Sequence, residues 1–232
     1  MLVILARQHD AVARALAHAW GLEHEVGLLT CQDLSTAGWR HFVATQGDGP
    51  ATAVVGGRVV DAQQLEAVLT LLPVVTEAEL PHIAAADQTY VADEMNAFLV
   101  AWLSSLRCPV VNRPSARSLA GPGWRPEHWV RIAALLGAPV RHIEVGASGS
   151  SPGADPASVA TVVGERCVGD VHHALAAQAL ALARVAGVDL LEVHFSGPER
   201  DAELIGANPW PDLGRPDVAR ALLDRLLGTA SC

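Results

Sequence analysis

Glu192 and His194 stand two residues apart in VDLLEVHF, a Val- and Leu-rich run that reads as a β-strand. Strand alternation puts both side chains on one face. Asn208 and Asp212 follow in ANPWPDL. A carboxylate, an imidazole and an amide gathered at strand ends have the chemistry of a metal or general acid/base site, with Glu192 and Asn208 as the metal-directed pair. The alternative is that Glu192 is an edge or surface carboxylate without such a role.

A second constellation is basic. Asn112, Arg113, Arg117 and Arg125 fall in CPVVNRPSARSLAGPGWRPEHWVR, residues 108 to 131, which passes from a short apolar run through a Pro/Gly/Ser loop into a helix. The chain has a formal charge of -9, and its sixteen basic side chains are all arginine. Guanidinium groups concentrated in so acidic a chain read either as a surface facing carboxylate or phosphate, or as partners for the surplus Asp and Glu. Arg166, in VVGERCVG, is a further candidate of the same kind.

Other spacings carry less. Cys167 and His172 have the residue types of a thiol nucleophile and its base, but no oxyanion device accompanies them. His172 and His173 are adjacent, so on a helix they diverge by about 100° and share no metal. Cys31, Cys108, Cys167 and Cys232 lie too far apart for a CxxC pair and read as free thiols of a reducing cytoplasm. Gly56-Gly57 reads as a hairpin turn, because no helix start follows it to cradle a phosphate. No GxGxxG follows Leu5, so a dinucleotide site has no support.

The elements that must position these residues are legible as periodicity. With half of its residues apolar and 18% charged, the chain has material for one large domain or two small ones. Strands are expected at 2–6, 25–30 and 40–45, a hairpin at ATAVVGGRVVDAQQ, and helices at 10–20, 63–72 and 87–106. In the second half a helix is expected from Pro126 to Gly137 and a strand at 140–145. A loop should follow at 146–158, as a lid or the scar of a lost segment, and then a strand at 159–163. Asp170 should cap a helix at 171–186; strands at 188–195 and 202–207 and a helix at 216–227 complete the chain. The acidic balance excludes a general nucleic-acid binder. The opening apolar run is too short for a signal peptide or a membrane span, so a soluble cytoplasmic protein is expected.

In sequence order, DQTYVADEMNAFLVAWLSSL, CPVVNRPS and RPEHWVRIAALLG resemble the end of a pre-ATP-grasp domain and the start of a grasp domain in the RimK-like, peptide-ligating branch of the ATP-grasp superfamily. VATVVGERCVG, VDLLEVHFSG and AELIGANPWPDL resemble that family's closing strands. The resemblance implies an α/β fold: a pre-ATP-grasp α/β domain over 1–114 and a reduced ATP-grasp-like α+β domain over 115–232. Family members hold ATP with lysines and Mg²⁺ with carboxylates and an asparagine, and here lysine is absent and Gly206 stands where the metal-binding glutamate belongs. The resemblance therefore implies a degenerate, non-catalytic or accessory protein with no cofactor, binding a peptide, a small carboxylate or a partner enzyme through Asn112, Arg113, Arg117, Arg125 and Arg166. The alternative is a minimal ATP- and Mg-dependent carboxylate-amine ligase built from Arg113, Arg166, Glu192 and Asn208, completed by a second subunit. An exposed Val/Leu-rich face would make the chain a homo-dimer.

Overall fold

A computed structural model describes residues 1–42, 50–142, 145–146, 149–150 and 156–228. The chain divides into two compact units, one of Met1–Ala120 with the chain from Leu226 onward, the other of Gly121–Arg225.

The first unit is organised around β1 (Leu2–Leu5), whose four apolar residues are all buried. A strand apolar on both faces needs cover on both and neighbours at both edges. Those neighbours are β2 (Val26–Leu29) and, on the other side, a strand at Ala67–Thr70. Between β1 and β2 runs α1 (Ala11–Trp20), which buries Ala13, Leu16 and Trp20 and is capped by Asp10, whose Oδ1 accepts Ala13 N at 2.9 Å. A single turn, α2 (Cys31–Leu34), leads to the hairpin β3 (Thr52–Val55) and β4 (Arg58–Asp61), which turns at Gly56-Gly57 with both glycines at positive φ.

The Ala67–Thr70 strand, β5, overturns the helix expected at 63–72. Only a 3₁₀ turn, Ala62–Gln64, is helical there. A short continuous apolar run suits a buried helix or a buried parallel strand equally well. Pairing decides it: Ala67, Val68 and Leu69 are each at most 1% exposed, held between β1 and β6 (Val110–Val111). The parallel sheet runs β2-β1-β5-β6.

α3 (Gln88–Ser105) covers this core with Met95, Leu99, Trp102 and Leu103. Burial of each large side chain contributes roughly 2–3 kcal/mol. Trp39 packs its edge against Phe98 and Trp102, with centroids 5.2 and 5.3 Å apart. Asn96 on α3 pins the segment after β5 by taking Val75 N at 2.8 Å and donating to Val75 O at 2.9 Å. The third strand expected at 40–45 is a single bridge, Arg40 to Thr52; residues 43–45 lie outside the described residues.

The second unit starts with α4 (Pro126–Leu135), its proline at the first turn, where a missing N–H costs nothing. Of the strand expected at 140–145, Val140 makes one bridge to Leu204, and residues 143–144 lie outside the described residues. The loop expected at 146–158 contains a two-residue ladder between β7 (Val145–Gly146) and β8 (Gly149–Ser150); 151–155 lie outside the described residues.

An antiparallel sheet follows, ordered β10-β9-β11-β12, from β9 (Ser158–Val163), β10 (Arg166–Val168), β11 (Leu190–Phe195) and β12 (Leu204–Asn208). Leu191, Val193 and Phe195 of β11 join Ala160, Val162 and Ala207 in a core with α4 and α5 (His173–Ala186). α5 starts two residues later than expected. Its N-cap is His172, whose Nδ1 accepts Ala174 N at 3.2 Å, and Gly187 ends it in the left-handed region at φ 65°. α6 (Pro216–Leu226) is tied to the start of β11 by Arg225, whose Nη2 lies 3.0 and 3.1 Å from the two oxygens of Asp189.

Candidate functional site

Alternation along β11 turns Leu191, Val193 and Phe195 toward the helices and Glu192 and His194 to the opposite face. Antiparallel register then fixes the neighbours. Glu192 lies opposite Asn208 on β12 and Thr161 on β9, and His194 lies opposite Gly206 and Val159. Directly opposed residues share a face, so Thr161, Glu192 and Asn208 form one row across the sheet.

Glu192 is the centre of a closed network. Its Oε1 is 2.7 Å from His194 Nε2 and accepts Asn208 Nδ2 at 3.2 Å, while its Oε2 accepts the Asp212 backbone N–H at 3.2 Å. An ionised carboxylate only accepts, so His194 Nε2 is the donor. Burial pushes the Glu192 carboxyl up, but the hydrogen bond from His194, the Asp212 N–H, the His194 charge and the Asn208 amide outweigh it and leave the carboxyl below its ordinary value. Asn208 Oδ1 accepts Trp210 N at 2.6 Å, and Asp212 Oδ1 accepts Gly214 N at 2.9 Å.

The four residues singled out on these strands thus meet, with Asp212 taking part through its backbone. Sequence reasoning missed Thr161. Its hydroxyl is buried, at 1% exposure, with no hydrogen-bond partner among the described residues. A β-branched residue in a strand carries no signal for this, because only register places it beside Glu192.

The fit to Mg²⁺ is poor. Both oxygens of Glu192 and the one oxygen of Asn208 already serve neighbouring donors, and Gly206 offers no ligand. Among the described residues no group of three His, Cys, Asp or Glu side chains could hold a metal. With no lysine in the chain, a nucleotide's phosphates would lack the point charges that usually meet them. The described residues of this site do not fit an Mg²⁺-nucleotide complex.

The arginines are divided between the two units. Asn112 is buried at 2% exposure, whereas Arg113 and Arg117 are exposed in the first unit and make no ion pair among the described residues. Arg125 is exposed in the second unit, as the residue before α4. Arg166 on β10 is paired with Asp224 at 3.4 Å.

Cys167 does not have the environment of a nucleophile. Burial raises its pKa, whereas a reactive thiolate needs it lowered. Burial, followed by the charges of Glu79 and Asp33, pushes the Cys31 thiol up to about 12. The rings of His172 and His173 touch, with centroids 4.1 Å apart, because His172 is a cap outside the helix; the divergence expected for two helical positions does not apply. No helix among the described residues is long and apolar enough to cross a membrane.

No family model matches the chain, and no curated protein does either. Its fold is that of the ATP-grasp ligases, shared along nearly its whole length with solved structures at low identity. Among these is the macrocyclase MdnC from Microcystis aeruginosa MRC, bound with precursor peptide MdnA, at a TM-score of 0.71 and 11% identity, over 99% of this chain and 100% of that one. A second is a RiPP-associated ATP-grasp ligase from Chryseobacterium gregarium, in complex with ADP and a leader and core peptide, at 0.66 and 10% over 99% and 97%. A third is a RimK-domain ATP-grasp protein from Sphaerobacter thermophilus DSM 20745, at 0.53 and 17% over 98% and 99%.

Proposed function

We infer that the chain is an accessory, non-catalytic ATP-grasp-like protein that binds a peptide. Its domains are taken as a pre-ATP-grasp-like part over 1–114 and a shortened grasp-like part over 115–232. The observation that carries this reading is the closed state of Glu192: a carboxylate held by His194, Asn208 and the Asp212 N–H is built as a structural brace, not as an open ligand for Mg²⁺. Peptide as the ligand class is supported by the solved structures of the same fold that hold precursor peptides. Arg113 and Arg117, exposed and without an ion pair among the described residues, supply forks for peptide carboxylates.

Calorimetry with Mg²⁺-ATP tests the loss of nucleotide binding. No heat at millimolar nucleotide is expected, and micromolar binding would overturn the reading in favour of the carboxylate-amine ligase. Anisotropy of a labelled Asp/Glu-rich peptide tests the ligand. The double variant Arg113→Gln/Arg117→Gln should weaken its binding about tenfold while Tm stays unchanged.

A further inference from the structure

The first unit contains a cleft of about 520 Å³ at the carboxyl end of β1. Its position follows from the topology. β1 connects through α1 to β2 on one side and has β5 on the other, and in an open parallel sheet the loops diverge at such a reversal of strand order and leave a crevice beyond the strand ends. One wall is the loop from Arg7 to Asp10, and the other is the segment from Ala78 to Pro81 after β5.

Arg7 Nε lies 3.2 Å from Oε1 of Glu79, whose side chain is only 13% exposed, and neither Nη group of Arg7 has a partner among the described residues. Arg14 Nη2 donates to Gln8 O at 2.7 Å and meets His9 Nδ1 at 2.9 Å. Arginine can only donate, so His9 Nδ1 accepts and the neutral ring carries its proton on Nε2. Of the two carboxylates on the walls, Glu79 is paired with the Arg7 cation, and Asp10 keeps its charge while one oxygen, Oδ1, accepts the Ala13 N–H of the helix cap. Donors therefore remain for a ligand, beside the small apolar surface of Ala11, Val12, Ala78 and Pro81.

We propose that this cleft binds the carboxylate of a small organic acid with a short apolar body. The carboxylate lies on the Nη edge of Arg7 and accepts the Nε2–H of His9, and the apolar body packs between Val12 and Pro81. Charge-assisted bonds to a guanidinium fork favour an oxyanion, and the apolar walls favour a carbon skeleton over a bare anion. The proposal is independent of the accessory reading, because Arg113 and Arg117 line no part of this cleft.

The test is a ¹H-¹⁵N titration of the full chain with N-acetylalanine, alanine amide and inorganic phosphate. N-acetylalanine should give saturable shifts at the amides of Arg7 to Val12 and Ala78 to Glu79. Alanine amide should give none, and phosphate should bind more weakly. Arg7→Gln, at a side chain that is 57% exposed, should weaken binding about tenfold without loss of fold, and Arg14→Gln should weaken it by releasing the His9 ring. Arg113→Gln/Arg117→Gln should leave it unchanged, which separates this site from the peptide-binding reading. The proposal is overturned by the absence of saturable shifts, by binding unaffected in Arg7→Gln, or by phosphate binding as tightly as N-acetylalanine.

Discussion

His194 Nε2 sits 2.7 Å from Glu192 Oε1, on the same face of β11 and two residues along it. Asn208 reaches the same oxygen from β12, so the contact ties neighbouring strands together at their polar face. The network consumes both oxygens of the carboxylate.

The Glu192 carboxyl titrates below its ordinary value of 4.5 in the folded chain, so its contribution is present above pH 4.5 and is lost as pH falls through the lower folded value. Glu192→Gln should cost about 1 kcal/mol at pH 7 and should lose less stability than the parent between pH 4.5 and 3. Urea denaturation at pH 7, 4.5 and 3 measures both effects; parallel losses would refute the assignment.

Gly206 lies opposite His194, and a Cβ added there meets no atom within 4 Å. Gly206→Glu should therefore fold, with stability changed by less than about 1 kcal/mol. It adds a carboxylate beside His194, in the row next to that of Glu192 and Asn208 on the same face of the sheet. Mg²⁺-ATP calorimetry on this variant should still be silent, because Glu192 stays committed to its neighbours; nucleotide binding in the variant alone would mean that one ligand was all this face lacked.

Thr161 buries a hydroxyl with no partner among the described residues. Thr161→Val keeps the shape and removes the unpaired group, so it should stabilise the chain by about 1 kcal/mol. Thermal denaturation reads the change, and a lowered Tm would show that the hydroxyl is bonded in solution.

Arg225 joins α6 to Asp189 at the start of β11, with both side chains about one-third exposed. Arg225→Ala should cost about 0.5–1 kcal/mol, and the cost should shrink at high salt as screening weakens the parent. Denaturant melts at low and high salt decide this.

Most elements were legible because their signals are local. Pro126 opens α4, Gly187 closes α5, and the spacing of Met95, Leu99, Trp102 and Leu106 marks α3 and the face it buries. The helix expected at 63–72 failed because the deciding interactions lie far along the chain: residues 67–70 became a strand because β1 and β6 take their backbone groups, pairing Ala67 with Leu2 and Val68 with Val110. The α5 cap moved for a local reason, because His172 Nδ1 reaches Ala174 N two residues on.

The sequence by itself determined the residue types of the candidate site, the absence of lysine, and the pairing of Glu192 with His194 on one strand face, because alternation is a property of the strand alone. Only the tertiary structure decided that Asn208 and the Asp212 N–H close around Glu192, that Thr161 lies beside it unpartnered, and that Arg7 and His9 line a cleft with Glu79. Those relationships depend on strand register and sheet order, set by burial and backbone pairing between segments distant in sequence.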